Sequence, residues 1–278
     1  MLSYRHAFHA GNYADVIKHV VLVEILRHLC KKDAPFEYID THSGAGLYNL
    51  AAPDAQKLQE FAGGIGKLSV EAFPELAAYL DVVASFNNNP ARHLYPGSPA
   101  IAKTFLRRQD RGWLFELHPK DAALLSQNMA GQKNIRVQHK DGFAGLKALV
   151  PPTARRGLVL IDPSYEIKSD YQLVVEQVIQ AHRKFSNGIY AIWYPVVDRH
   201  TIVKITQDLA NSGIRNIQRY ELGIAEDSAQ HGMTSSGMIV INPPWTLFDT
   251  MAALLPKLST ALSGHNTPIY QCDVLVNE

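Results

Sequence analysis

Four acidic residues lie at or near the carboxyl ends of predicted strands, in an order that could build one ligand site. The segments are FEYID, GWLFEL, IRVQHKD and GLVLID, and their acids are Asp40, Glu116, Asp141 and Asp162. In open α/β sheets, ligands bind outside the carboxyl ends of the strands. We therefore expect these acids to border a shared ligand site.

The last acid begins the segment Asp162-Pro163-Ser164-Tyr165. An exocyclic adenine amine is a poor nucleophile, because its lone pair is delocalised into the ring. The Asp162 carboxylate and the Pro163 carbonyl can each accept one amine hydrogen, which directs the lone pair at an electrophile. The Tyr165 ring offers a surface for an extruded base. A D-P pair alone is more often a plain turn, but its place after three acid-tipped strands favours a catalytic function.

A glycine turn follows the first predicted strand. Gly44 and Gly46 would let the backbone approach a ligand closely. Asn49 stands where a dinucleotide-binding G-x-G-x-x-G motif has its third glycine, which argues against a nicotinamide dehydrogenase.

The acids of the second and third strands suit a nucleoside. Glu116 could accept hydrogen bonds from both ribose hydroxyls, and Asp141 with Gly142 could meet an adenine edge. Glu116 lies 70 residues after Gly46 (116 − 46), much farther than in a minimal strand–helix–strand unit. A helical insertion at about 50–98 accounts for the gap, and we expect it to serve as a substrate wall or lid.

A second segment of similar type, Asn242-Pro243-Pro244-Trp245, follows the apolar run GMIVI. An amide and a proline carbonyl could do the same accepting work. Because this segment follows a late strand, we interpret it as a structural turn at the edge of the sheet.

Strands alternate with helices along the chain, which predicts an α/β fold. We expect one Rossmann-like domain over 1–278, with a doubly wound, mostly parallel sheet and the insertion at about 50–98. The predicted helices are an amphipathic helix at 12–30, one opening at Pro119, one near 75–86, and those at 170–185 and 199–209. The predicted strands are 36–40, 112–117, 135–141, 157–162, 188–197, 214–222 and 237–241.

These motifs together resemble the class I S-adenosylmethionine-dependent methyltransferases that methylate amino groups. Longer segments, among them LSYRHAFHAGNYADVIKH, IDTHSGAG, YPGSP and INPPW, resemble the ribosomal RNA large subunit methyltransferase J family over nearly the whole chain. The resemblance implies S-adenosylmethionine as cofactor and N6 of an adenine in 23S ribosomal RNA as substrate.

The resemblance also implies roles for individual residues. Asp162 would be the proton-accepting catalytic acid, and Tyr4 would meet the RNA. Lys18 could bind the carboxylate of the cofactor. The implied cofactor contacts are His19, His42, Ser98, Glu116, Asp141 and Gly142. Ser164 departs from the family, which usually has a second proline there, and we expect a looser loop and a lower rate.

Composition sets the remaining expectations. Lys plus Arg is 27 and Asp plus Glu is 26, so any nucleic acid must be held by local patches. Arg107, Arg108, Arg111, Arg155 and Arg156 form the densest basic runs and are either a solvated face or phosphate contacts. Two cysteines, no leader and no membrane segment indicate a soluble, cytoplasmic protein, expected to be a monomer.

Several histidines near the amino terminus raise the question of a metal site. His6, His9, His19 and His42 have no cysteine partner and fit no zinc spacing, so no metal is expected. His6 and His9 are either RNA contacts or surface residues.

Two alternatives stay open: methylation of another nitrogen (DNA adenine or a protein glutamine amide), and a non-catalytic nucleic-acid-binding protein linked to use of external DNA. One structural outcome would contradict the enzymatic interpretation. It is an Asp162 carboxylate that is buried in a salt bridge or faces away from any cavity shared with the glycine turn.

Overall fold

A computed structural model describes residues 5–89, 93–228 and 232–278. Tyr4 therefore lies outside the described residues. The strands are β1 (Glu37–Asp40), β2 (Leu47–Asn49), β3 (Leu94–Pro96), β4 (Arg111–Phe115), β5 (Ile135–Gln138), β6 (Gly157–Ile161), β7 (Ile189–Val196), β8 (Ile217–Gly223), β9 (Ser235–Ile241) and β10 (Ile269–Val276). The helices are α1 (Tyr13–Cys30), α2 (Pro53–Leu58), α3 (Glu60–Gly63), α4 (Ala77–Ser85), α5 (Ser98–Phe105), α6 (Pro119–Asn128), α7 (Gly142–Leu149), α8 (Ser169–Lys184), α9 (Arg199–Ala210) and α10 (Leu247–Ser263). Short 3-10 turns cover His6–Phe8, Ile65–Lys67 and Pro74–Leu76.

In the described chain, one large sheet has the strand order β10-β8-β9-β7-β6-β1-β4-β5. The five strands from β7 to β5 are parallel, whereas β9, β8 and β10 pair antiparallel. The chain runs outward from β1 to β4 and β5 and then returns to β6 on the other side of β1. Such a reversal opens a crevice at the carboxyl ends of β1 and β6, where α/β proteins bind ligands. The predicted Rossmann-like, mostly parallel fold is confirmed.

Strand β6 is buried along its whole length because helices cover both faces of the sheet. Leu158 and Leu160 pack into one core with α1, α5 and α10, whereas Val159 and Ile161 pack into the other with α8 and α9. This is why its sequence is an unbroken apolar run rather than an alternating one. The two cores fix the end of β6 and so fix the position of Asp162.

Helix α1 differs from the amphipathic helix that the sequence predicts. The Asn12 side chain caps it as expected, accepting from the backbone amides of Ala14 and Asp15 at 3.0 Å each. It is buried on almost every side, because it packs between the sheet and both α5 and α10. Three polar residues near its start, Asp15, Lys18 and His19, are buried with it. They must find partners or a ligand inside the protein.

The insertion at 50–98 contains α2, α3, α4 and β3, with β3 pairing with β2. It was expected to be a substrate wall or lid, yet of its described residues only Gly97 and Ser98 line the large cavity. The rest braces the segment that precedes α1. Glu60 accepts from Asn12 Nδ2 at 2.9 Å and contacts His9 Nδ1 at 3.0 Å. The expectation of a wall is therefore wrong for most of the insertion.

The predicted elements are largely confirmed, with boundaries shifted by a few residues. The elements that were missed are the β2–β3 pair, helices α5 and α7, and, near the carboxyl end, α10 and β10. The apolar face of α10 packs in the same core as α1, and β10 extends the sheet beside β8. No helix in the described chain is both long and apolar enough to cross a membrane.

Candidate active site

A cavity of about 500 Å³ opens at the carboxyl ends of the central parallel strands. Its volume suits a small organic ligand. Most of the residues predicted for catalysis or binding line it together, which the sequence could suggest only from strand order. They are His6, Lys18, His19, His42, Gly44, Ser98, Glu116, Asp141, Gly142, Asp162, Pro163 and Tyr165.

Asp162 belongs to a chain of buried ion pairs. Lys18 Nζ lies 2.6 Å from Asp162 Oδ2 and 2.8 Å from Asp15 Oδ1. Asp15 Oδ2 in turn contacts His6 Nε2 at 2.9 Å and accepts from the Gly11 amide at 2.8 Å. The segment before α1, α1 itself and the end of β6 are thus joined at one point.

The Lys18 contact is the salt bridge that the sequence interpretation named as contrary evidence, and the structure contains it. The second condition is not met, because Asp162 lines the same cavity as Gly44 and its side chain keeps 14% exposure. Lys18 binds Oδ2, and Oδ1 has no hydrogen-bond partner among the described residues. An ion pair through one oxygen leaves the other oxygen for a ligand.

The electrostatics of this group favour a carboxylate near its ionisation point. Burial raises the pKa of Asp162 to about 6, and the neighbouring Lys18 ammonium opposes that rise. Burial opposes the charge on Lys18 as well, yet Asp15 and Asp162 hold its pKa well above the ordinary value. Lys18 is therefore a fixed cation, and Asp162 is the member of the pair that can change its charge.

Lys18 was predicted to bind the cofactor carboxylate. Its ammonium is instead placed between two protein carboxylates, which use two of its three N–H groups. The predicted contact stays a prediction, and the structure adds a contact with Asp162 that the sequence did not reveal.

Tyr165 lines the cavity in a constrained conformation. Its φ is +52°, which is unfavourable for a residue with a side chain. Its hydroxyl donates to the Trp193 carbonyl at 2.6 Å, and its ring lies 4.3 Å from the ring of Tyr171, centroid to centroid. Only 8% of the residue is exposed. Packing by Tyr171 and Trp193 holds the ring at the cavity wall.

Glu116 is fixed by two backbone amides. Oε2 accepts from Gly44 at 2.7 Å and Oε1 accepts from His118 at 2.7 Å. Burial raises its pKa, and the two amide hydrogen bonds oppose the rise. The glycine turn and the end of β4 are thereby tied together, with the carboxylate on the cavity wall between them.

Asp141 and Gly142 form the start of α7. Asp141 caps the helix by accepting from the Ala144 amide at 2.9 Å. Gly142 is pressed against β1, and a Cβ there would lie 1.8 Å from the Thr41 carbonyl oxygen. Glycine is required at this position to bring the helix start to the cavity.

His42 and Ser98 line the cavity from opposite sides of β1. Burial lowers the pKa of His42 to about 4, so the ring is neutral at physiological pH. Ser98 Oγ donates to Asp40 Oδ2 at 2.7 Å. Asp40 itself is fully buried, so the expectation that it borders the ligand site is wrong. It accepts from Ser98, and Ser98 lines the cavity in its place.

Gly46 was predicted to contact the cofactor, but it does not line the cavity. A Cβ at Gly46 would lie 2.8 Å from Leu125 Cδ1. The Gly46 carbonyl accepts from the Gly97 amide at 3.0 Å. The glycine is needed because α6 and the start of α5 pack against the turn.

Two arginines of the basic runs, Arg107 and Arg156, form hydrogen bonds with the backbone of the protein itself. Arg107 donates to the carbonyls of Lys32 and Ala34 and pairs with Asp110, and Arg156 donates to the carbonyls of Ala34 and Leu29. These two arginines close the turn after α1. Among the described residues, no group of three or more His, Cys, Asp or Glu side chains could hold a metal ion.

Comparisons with known proteins give the cavity a context. Residues 33–274 match the family model described as "Ribosomal RNA large subunit methyltransferase D, RlmJ". The chain is 50% identical over 273 residues to the ribosomal RNA large subunit methyltransferase J of Escherichia coli K12, covering 96% of this chain and 98% of that protein. The chain belongs to this family.

Further relatives agree with the family membership. The protein of the same name from Haemophilus influenzae is 47% identical over 270 residues, covering 96% of both chains. A crystal structure of protein LPL1258 from Legionella pneumophila has a TM-score of 0.88 and 37% identity, covering 96% of this chain and 98% of that chain. A probable spermidine synthase from Corynebacterium glutamicum, with a TM-score of 0.51 and 11% identity, shares the fold alone.

The family is one of methyltransferases, and the sequence resemblance implies S-adenosylmethionine as the methyl donor. The cavity residues fit such a group. His19 Nε2 is a buried polar atom without a hydrogen-bond partner among the described residues, and it belongs to a side chain that lines the cavity. Glu116 and Asp141 offer carboxylates that can accept from hydroxyl and amino groups. The sequence predicted His19 and Tyr165 but missed Tyr95 and Trp193, which hold them, because these partners are 76 and 28 residues away in the chain. It also missed Asp15, which pairs with Lys18 one helical turn away.

Proposed function

We propose that this chain transfers a methyl group from S-adenosylmethionine to N6 of an adenine in 23S ribosomal RNA, with the base flipped into the cavity beside Asp162-Pro163-Ser164-Tyr165. The observation that carries the proposal is the position of Asp162 and Pro163. They line one cavity with Gly44 and Glu116, at the point where the strand order reverses.

In the proposed reaction, Asp162 and the Pro163 carbonyl each accept one hydrogen of the adenine amine. The lone pair is then freed from the ring and directed, and the charge that develops on nitrogen is stabilised. Bound S-adenosylmethionine would supply an electrophilic methyl group: the C–N bond would form as the carbon–sulfur bond breaks, S-adenosylhomocysteine would leave with the sulfur electron pair, and Asp162 would take the amine proton. The protein contributes position and charge and forms no covalent bond.

Lys18 supports the accepting role of Asp162. Its contact at 2.6 Å opposes the effect of burial on the carboxylate and engages Oδ2. The Oδ1 atom is left to accept from the amine. Lys18 is a positioning residue in this proposal, because it acts through Asp162.

The proposal places the flipped base beside Tyr165. A base taken out of a stack loses its neighbours, and an aromatic ring in the pocket replaces part of that contact. The constrained backbone and the contacts with Tyr171 and Trp193 keep the ring in one place before the base arrives.

The segment before α1 is the proposed RNA contact. His6 lines the cavity and contacts Asp15, which the ion pairs of Lys18 join to Asp162. Tyr4 is proposed from the family resemblance, since it lies outside the described residues. Substitution of Tyr4 by alanine should slow RNA turnover without changing cofactor affinity.

The test is a comparison of 23S ribosomal RNA from cells with and without the gene. We expect mass mapping to find one adenine that loses a single methyl group in the deletion strain. The wild-type gene should restore the methyl group and the Asp162→Ala gene should not. Unchanged RNA in the deletion strain would contradict the proposal.

Purified protein separates the alternatives. With labelled cofactor we expect incorporation into ribosomal RNA from the deletion strain, but not into DNA or release-factor protein. Labelling of DNA or of release factor instead would assign another nitrogen as the substrate. Absence of cofactor binding by calorimetry would support a non-catalytic nucleic-acid-binding protein.

A further inference from the structure

His19 is the inner end of a buried row of three hydrogen-bonding side chains. Tyr79 Oη in α4 lies 3.0 Å from Tyr95 Oη in β3, and Tyr95 Oη lies 2.7 Å from His19 Nδ1 in α1. Each of the three residues is at most 1% exposed. The two tyrosines come from the insertion, most of which does not touch the cavity.

The direction of hydrogen donation follows from the outer end of the row. Among the described residues, Tyr95 is the only hydrogen-bond partner of Tyr79 Oη. If His19 donated to Tyr95 and Tyr95 donated to Tyr79, the Tyr79 hydrogen would be left unpaired in the core, which is unfavourable. If Tyr79 donates to Tyr95 and Tyr95 donates to His19 Nδ1, both tyrosine hydrogens are paired, and the hydrogen left for a ligand is on the side chain that lines the cavity.

The second arrangement leaves the imidazole proton on Nε2. This atom has no partner among the described residues, and the side chain lines the cavity. Burial lowers the pKa of His19 to about 3, so the ring is neutral and holds a single proton at physiological pH. The hydrogen-bond partner of one ring nitrogen decides which nitrogen carries that proton.

We propose that Tyr95 is a positioning residue that donates to His19 Nδ1, keeps the proton on Nε2, and makes His19 a neutral donor to the carboxylate of the cofactor's amino-acid portion. This inference rests on the cofactor site of the proposed function. It adds Tyr95 as the residue that sets the tautomer of His19 in that site.

The cavity presents its acceptors and its donors on different sides, and this is why we assign the cofactor's carboxylate to His19. Glu116 and Asp141 follow β4 and β5, and their charges disfavour another anion there. His19 and Lys18 lie on α1, which packs on the opposite side of β1 against β6 and β7. Asp15 and Asp162 also lie there, but both contact Lys18, the only lysine or arginine among the described residues that line the cavity. The amino-acid portion of the cofactor is therefore expected on the α1 side, and the nucleoside portion on the side of the two acids.

The first experiment reads the tautomer directly. In ¹⁵N-labelled protein without ligand, multiple-bond ¹⁵N–¹H correlation distinguishes the two neutral tautomers, and the His19→Gln variant identifies the His19 signals among the 12 histidines. We expect a proton on Nε2 in the wild type. We expect the Tyr95→Phe variant to lose this preference, and the Tyr79→Phe variant to keep it because Tyr95 still donates. A wild-type His19 protonated on Nδ1 overturns the proposal.

The second experiment measures binding by calorimetry with two probes that differ in the amino-acid portion. For Tyr95→Phe we expect S-adenosylhomocysteine to bind about tenfold more weakly, as loss of an aligned hydrogen bond implies, while 5′-methylthioadenosine stays within about twofold. Tyr190→Phe is the matched control, since it removes a buried hydroxyl that donates to the Phe185 carbonyl away from the cavity. Equal weakening of both probes by Tyr95→Phe would mean a merely structural role and overturn the proposal.

A further pair of variants keeps the test decisive if Tyr95→Phe does not fold. Glutamine can place an amide N–H near the position of Nε2, and asparagine near that of Nδ1. We expect His19→Gln to bind S-adenosylhomocysteine more tightly than His19→Asn, and the reverse order contradicts the proposal. Wild-type protein that binds neither probe would contradict the proposed function itself, which is a different outcome.

Discussion

Two segments of this chain carry a polar residue, a proline and an aromatic residue directly after a buried strand, yet only one of them borders the cavity. Asp162–Tyr165 follows β6, which runs parallel to β1, so it reaches the edge where ligands bind. Asn242–Trp245 follows β9, which runs antiparallel to β7 and ends at the opposite edge. Strand direction, more than the motif, decides which segment can do chemistry.

The local contacts of the second segment match a structural turn, as the sequence interpretation held. Asn242 Nδ2 donates to the carbonyls of Ser186 and Gly188 at 2.8 Å each, just before β7 begins. Asn242 also has a φ of +53°, which asparagine tolerates better than most residues. Trp245 is 79% exposed and lies outside the cavity lining. The same residue types therefore close a turn here.

The largest expected effect is at the two polar residues that begin these segments. Asp162→Ala removes both carboxylate oxygens that could accept from the amine, and we expect methyl transfer to fall by about a thousandfold with cofactor affinity nearly unchanged. Asn242→Asp should leave the rate within about twofold. Single-turnover kinetics and calorimetry measure both. A thousandfold loss at Asn242 would reverse the assignment.

The aromatic residues give the next contrast. Tyr165→Leu removes the ring beside the proposed base site, and base stacking of about 1–3 kcal/mol corresponds to a loss of roughly 10- to 100-fold in kcat/KM for RNA. Trp245→Leu should change kcat/KM little, because its ring lies on the other edge. Steady-state assays with unmethylated ribosomal RNA make the comparison. If Trp245→Leu has the greater effect, the exposed tryptophan contacts RNA.

The ionisation of Asp162 gives a pH dependence that Asn242 cannot have. The resemblance makes Asp162 the acceptor of the amine proton, which requires the charged carboxylate, and its pKa is about 6, so the rate should fall as the pH drops through about 6. Lys18→Met removes the cation that lowers this pKa, and we expect the acid limb to move up by about one unit, which lowers the rate by about fivefold at pH 6. Lys67→Met, a lysine bound to the carbonyls of Ala261 and Leu262, is the control. If the acid limb does not move in Lys18→Met, the ionisation of Asp162 does not determine the pH dependence of the rate.

The free energy of unfolding should depend more on Asn242 than on Asp162, the reverse of the order expected for the rate. Asn242→Ala removes two hydrogen bonds to backbone carbonyls and places alanine at positive φ, and we expect the free energy of unfolding to fall by about 2 kcal/mol. The rate of the folded variant should not change. Urea unfolding followed by assay at low temperature measures both quantities, and loss of activity in fully folded protein would contradict the structural role.

The smallest expected effect concerns the third residue of each segment. Ser164→Pro restores the residue usual in the family and should raise kcat by about twofold, since a proline narrows the conformations of the loop. Pro244→Ser should leave kcat unchanged. A lower rate in Ser164→Pro would show that the loop must move during turnover.

Much of the fold was predictable because periodicity and strand-end acids are local signals. The run GLVLID gave β6 and Asp162, and the glycine turn gave the end of β1. Partners that are distant in the chain gave no such signal. Lys18 meets Asp162 across 144 residues and His19 meets Tyr95 across 76, and neither pair has a motif of its own. Helix α10 and strand β10 were missed because they follow the second segment, Asn242–Trp245, where no site was expected.

The path of α1 has a consequence for how the pocket responds to distant substitutions. This helix carries Lys18 and His19, yet it packs against β9 and α10, which begin more than 200 residues after α1 ends (235 − 30 = 205). Loosening of either element would remove part of the support that holds Lys18 and His19 in place. Substitutions in the apolar face of α10, which does not line the cavity, should therefore disturb the binding pocket.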